Sequence, residues 1–134
     1  MKQRIQTVGW LAAFLALALL WVSPAMATDY ELYIAGTQVT SANCNNLKDI
    51  AGVTVAEGGV FQYDPATKTL TMKEVTVTVG EGKNAIKNSG VEGLKINVSG
   101  TNSIETKDWY TLNCSASTEL EGNGSLTIGG SNTI

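Results

Sequence analysis

The sequence predicts an all-β chain whose strands stack as a parallel β-helix, a solenoid preceded by an N-terminal hairpin and a short capping helix. Three observations carry that expectation. Apolar and polar residues alternate in short runs such as Leu94, Ile96 and Val98, so one face of each run turns inward. Residue types that tolerate bends and left-handed backbone, such as Gly100 and Asn102, punctuate the runs. The pattern also recurs. Met72 and Val98, Ile86 and Leu112, and Asn88 and Cys114 are each 26 residues apart. Laying Val98 on Leu120 superposes Gly100 on Gly122, Asn102 on Gly124 and Ile104 on Leu126, an interval of 22. A repeat of several short strands with Gly/Asn corners is one coil of a stacked array, and the chain has room for three or four coils.

Taken in order, the chain begins with a segment that does not belong to the fold. Lys2 and Arg4 precede a 15-residue apolar run, Val8 to Val22, and Ala25-Met26-Ala27 has the small-x-small form of a cleavage site. This is the layout of a secretory signal peptide over 1–27, too short for the roughly 18–20 apolar residues of a spanning helix. Cleavage leaves 28–134 without a membrane span, with the length of one domain and with Trp109 as its sole tryptophan.

Tyr30 to Ile34 and Gln38 to Thr40 read as a hairpin around Ala35-Gly36-Thr37. Asn45 to Ile50 reads as the short helix, placing Leu47 and Ile50 on one face before Gly52 ends it. Its expected task is to plug the open end of the stack. Val53 to Val60 is a strand interrupted by Glu57-Gly58-Gly59. Phe61 to Met72 is a hairpin whose turn opens at Asp64-Pro65. Val75, Val77 and Val79 continue the alternation, Gly80 to Asn84 is a loop, and Ala85-Ile86 is a short buried strand. Leu94 to Ile104 is the central unit, with its corner at Gly100 and Asn102, and a loop over Glu105 to Asp108 leads to Trp109. The segment Ile128 to Ile134 stops within a further coil, so the domain is expected to be truncated at its C-terminal end.

Composition narrows the chemistry. After residue 27 there are seven lysines, twelve carboxylates, no arginine and no histidine, a net charge of −5. An acidic chain without the guanidinium fork is a poor partner for nucleic acid. Cys44 and Cys114 both lie in the exported part, where two lone cysteines suggest a disulfide, with two separate thiols as the alternative.

Two stretches then point to a family. Leu32 to Cys44 (LYIAGTQVTSANC) and Tyr63 to Met72 (YDPATKTLTM) resemble secreted repeat proteins of gut and oral Bacteroidales, and Val91 to Asn102 (VEGLKINVSGTN) fits the same group. More distantly, the chain resembles carbohydrate-binding domains with a pectate-lyase-like, right-handed β-helix. The resemblance implies polysaccharide binding outside the cell or at its surface, sometimes with calcium. No binding motif of that group maps onto particular residues here.

Catalysis finds little support. Without histidine no Ser-His or Cys-His pair is possible. Lyase chemistry needs a cationic base beside calcium-binding carboxylates, and the acids are scattered singly. Glu119 and Glu121 share a strand face and could stack near Glu92 or Glu105, but a carboxylate pair on such a surface is ordinarily solvated. Glu105 and Asp108 are the candidates for calcium, without any recognisable loop motif. The ten asparagines after residue 27, among them Asn88, Asn97, Asn102 and Asn123, suggest amide ladders at the corners. Sugar recognition commonly sets a flat ring against a pyranose face, which singles out Asp108, Trp109 and Tyr110, with Tyr63 as a second candidate. The expected function is therefore a non-catalytic, carbohydrate-binding module. A structural or adhesive stalk segment of a larger surface protein is the alternative, and a polysaccharide-lyase remnant a third reading.

Overall fold

The computed structural model describes residues 26–132, so the segment expected to be a signal peptide lies almost wholly outside the described residues. The described chain is all-β. Its spine is β4 (Thr69–Val79), a strand bent where Glu74 takes a positive φ of 55°. The bend divides β4 between two partners. Residues 69–73 pair in parallel with β6 (Leu94–Ser99), and residues 76–79 pair in parallel with β7 (Thr101–Tyr110). The chain turns between β6 and β7 at Gly100, φ 65°, directly beside the Glu74 bend. The next layer repeats this arrangement, β9 (Thr118–Gly122) on β6 and β10 (Ser125–Asn132) on β7. The result is a curled parallel sheet of five strands, in the order β10-β7-β4-β6-β9.

A second sheet has four strands, in the order β2-β1-β5-β8. β1 (Asp29–Ile34) and β2 (Thr37–Thr40) form the expected hairpin, with positive φ at both Ala35 (51°) and Gly36 (79°), the geometry that matches a two-residue turn to strand twist. β1 pairs antiparallel with β5 (Ile86–Asn88), which pairs in parallel with β8 (Leu112–Cys114). The second expected hairpin is also present. β3 (Val53–Asp64) runs antiparallel to β4, and its register shifts between Val55 and Val60, where Glu57-Gly58-Gly59 interrupts the strand.

Stacking in register produces continuous apolar columns. Leu70, Ile96 and Leu120 lie side by side on successive strands, as do Val77, Ile104 and Ile128. Each buried aliphatic side chain contributes about 1.5–3 kcal/mol. Burial fades along the first column, from 0% exposure at Leu70 to 1% at Ile96 and 56% at Leu120.

Several expectations need correction. The helix over 45–50 is only a single 3-10 turn, Leu47–Asp49, which buries Leu47. Asn45 and Asn46 precede it, but Asn46 makes no side-chain cap, and one turn without a cap does not propagate as an α-helix. The interval between the last two layers is 24, with Ile96 beside Leu120 and Val98 beside Gly122. Matching Gly100 to Gly122 misled because Gly122 answers a different need. A Cβ there would lie 2.1 Å from the Val98 carbonyl oxygen. Asn102 is not a bend residue but a buried strand residue, and no ladder of stacked amides forms around it, since its bonds run to backbone groups.

The expected disulfide is absent, and both cysteines are free. Cys44 follows β2 and is held near it by its N–H donating to the Thr40 carbonyl (2.9 Å), whereas Cys114 ends β8. In the order β2-β1-β5-β8 these strands are three spacings apart, about 14 Å. A disulfide needs Cα atoms within about 7 Å.

Candidate functional site

Asp108, Trp109 and Tyr110 stand on the last three residues of β7, so the loop expected over 105–108 is strand instead. β7 leaves β4 after Thr106, the partner of Val79, and from there loses its cover. Alternation would hide one of two successive rings. Here both Trp109 and Tyr110 are 47% exposed, because the strand has outrun the core. Asp108 beside them is exposed as well. The triad thus presents two flat apolar surfaces with hydrogen-bonding edges and one carboxylate acceptor.

The same corner carries a second feature one layer earlier. Val79 pairs with Thr106 and Ile86 with Leu112, so 80–85 and 107–111 are equivalent connections of adjacent layers. The two connections are tied together. The Thr106 hydroxyl donates to the Lys83 carbonyl (2.8 Å), and the Ile86 N–H donates to the Thr111 carbonyl (3.1 Å). Against the earlier connection lies a groove of about 230 Å³, lined by Tyr33, Gly36, Gly82, Lys83, Asn84 and Lys87. Among the described residues no carboxylate lines it. Tyr33 and Lys87 are direct cross-strand partners, and the Lys87 ammonium sits over the Tyr33 ring, 5.6 Å from its centroid. The Lys83 stem lies across Gly36, where a Cβ would come within 3.1 Å of Cδ. Asn84 is half-buried, and among the described residues its enclosed Oδ1 has no hydrogen-bond donor. An acceptor left in that state costs about 1–3 kcal/mol.

The other sequence candidates are placed differently. Tyr63 is 2% exposed, packed edge-on to Tyr30 at 5.3 Å, and is a core residue. Burial pushes its phenol above the ordinary 10.0, helped by the neighbouring Tyr30, Asp64 and Cys44. Glu119 and Glu121 register with Lys95 and Asn97, not with Glu92 or Glu105. Glu92 is engaged elsewhere. Its carboxylate accepts from the Ser117 hydroxyl (2.8 Å) and N–H (3.1 Å), which together with the positive charge of Lys68 lower its pKa below 4.5. Glu105 and Asp108 do not gain a third ligand, for among the described residues no three Cys, Asp or Glu side chains converge on a metal position.

Sequence reasoning treated 80–84 as a plain loop and so missed Lys83 and Asn84. The signal was present, since they stand 26 residues before Trp109 and Tyr110, the interval that links Ile86 to Leu112. Tyr33 was out of reach, because only the antiparallel docking of β1 on β5 brings it to this corner. Compared with known proteins, the chain matches no family model, and no curated protein or solved structure shows significant similarity to it.

Proposed function

We propose that this chain is a secreted, non-catalytic module that binds extracellular carbohydrate through the corner formed by Asp108, Trp109 and Tyr110, and that its curled layers belong to a right-handed parallel β-helix. The observation that carries the reading is the pair of adjacent aromatic rings, each 47% exposed. Leaving two large rings in water is unfavourable unless something covers them part of the time, and a pyranose face fits that requirement. The lack of histidine throughout, and of arginine after residue 27, supports a binding role over a catalytic one. The leader-like pattern at 1–27 and the resemblance to secreted Bacteroidales repeat proteins support an extracellular or cell-surface location.

The test is a glycan array and affinity electrophoresis with the purified protein. Trp109→Ala should weaken binding at least tenfold while leaving the β-sheet circular dichroism unchanged. Equal retention of wild type and Trp109→Ala would overturn the assignment of the site.

A structural or adhesive stalk segment is the second reading. It is favoured by Leu120, which occupies a core column yet is 56% exposed on β9, an edge strand among the described residues. Such an edge is a template for another strand. A protein that binds no glycan, yet self-associates in a manner abolished by Leu120→Lys, would decide for the stalk.

A further inference from the structure

The groove beneath the aromatic corner has a chemistry of its own. In a chain with a net charge of −3, it gathers two of the nine basic side chains into a concavity without a carboxylate. Neither lysine arrives there by chance of rotamer. Gly36, held at φ 79° by the β1–β2 turn, leaves the space across which the Lys83 stem lies. Lys87 is placed by its register with Tyr33, whose ring holds the ammonium from below. Lysine bears a compact, mobile charge with three donors, suited to a carboxylate approached from more than one direction. Asn84 adds an amide whose oxygen lacks a donor, and a turn of that amide toward the groove it lines would offer the acceptor to a hydroxyl.

We infer that the groove formed by Tyr33, Lys83, Asn84 and Lys87 is an anion subsite that takes a carboxylate with a hydroxyl beside it. The two ammonium groups hold the carboxylate, and the Asn84 amide oxygen accepts from the hydroxyl. Two sources carry this chemistry, a sugar acid within a glycan and a free hydroxy acid. The glycan source rests on the reading of the aromatic corner as a sugar-binding site. The groove belongs to the connection one layer before that corner, and hydrogen-bonded strands of adjacent layers lie about 4.8 Å apart. The free-acid source does not depend on that reading.

Titration of the ¹⁵N-labelled protein, followed by amide chemical shifts, tests the inference with three probes: a glucuronate-containing tetrasaccharide, the matching neutral glucose tetrasaccharide, and gluconate. The expected result is saturable shifts at Gly36 and Gly82 to Lys87 with the acidic probes. The double variant Lys83→Gln/Lys87→Gln should weaken this binding at least tenfold with the remaining spectrum unchanged, and about 1 M salt should weaken it in the wild type. Tighter binding of the tetrasaccharide than of gluconate, lost in Trp109→Ala, supports the glycan source. Equal binding of gluconate in wild type and Trp109→Ala supports the free acid and retains the subsite even if the sugar reading fails. Equal affinity for acidic and neutral tetrasaccharides, no shift with any acidic probe, or unaltered binding in the double variant would overturn it.

Discussion

At the scale of single residues, the polar groups inside this fold do specific work. Asn102 is 1% exposed and joins three layers. Its Oδ1 accepts from the Val75 N–H (3.0 Å), while Nδ2 donates to the Ser99 (2.9 Å) and Ser125 (3.2 Å) carbonyls. The Val75 N–H needs that partner because the Glu74 bend takes it out of the parallel pairing with β6 and β7. Asn102→Ala orphans these buried groups and is expected to destabilise the protein by about 3 kcal/mol, read as a lower urea midpoint. Gly52 is constrained in another way. At φ 93°, a Cβ would lie 2.8 Å from the Thr78 carbonyl oxygen. Gly52→Ala should therefore cost about 2 kcal/mol in the same measurement. Glu92 ties stability to pH. Its folded pKa is lowered chiefly by the Ser117 hydroxyl, then by the Ser117 N–H. Its contribution is thus complete above the ordinary 4.5 and disappears as pH falls through the lower folded value. Ser117→Ala should move the Glu92 carboxyl titration, followed by NMR, upward toward 4.5; an unmoved titration would refute the assigned cause.

At the scale of elements, the reach of each strand decides what is buried and what is offered to solvent. β7 runs four residues past its last β4 partner, and those four positions are all exposed. The alternation that describes Leu94, Ile96 and Val98 therefore fails at Trp109 and Tyr110, because alternation buries a side chain only where a second layer covers it. The cysteines show the same dependence. Both fall after residue 27, but their elements lie at opposite edges of the second sheet. Cys114 is exposed and Cys44 buried, so iodoacetamide is expected to label Cys114 in the folded protein and Cys44 only after denaturation. Mass spectrometry without reductant reads both outcomes, and an intramolecular bridge would contradict the arrangement. Hairpins were legible in the sequence because their determinants are local. Asp64 accepts from the Ala66 N–H (2.9 Å), closing the turn that Asp64-Pro65 announces.

At the scale of the whole molecule, stability is graded along the stack. β4 is flanked on both edges, by β3 and by β6 and β7, whereas β8, β9 and β10 are edge strands among the described residues. Local opening needs least free energy where fewest partners are lost. Amide hydrogen exchange should accordingly be slowest in β4 and β6 and fastest in β9 and β10; uniform protection would indicate that the outer layer is covered in solution. Alternation, Gly/Asn punctuation and the 26-residue interval were enough to establish an all-β chain, the two hairpins and the core columns through Met72, Val98 and Ile86. Those features are written in short-range spacing, where backbone geometry leaves few choices. The tertiary structure alone decided the 24-residue register of the last layer, the separation of the cysteines and the meeting of Tyr33 with Lys83 and Lys87. Each of these depends on which strand edges pair, and pairing is set by the summed packing of all layers at once.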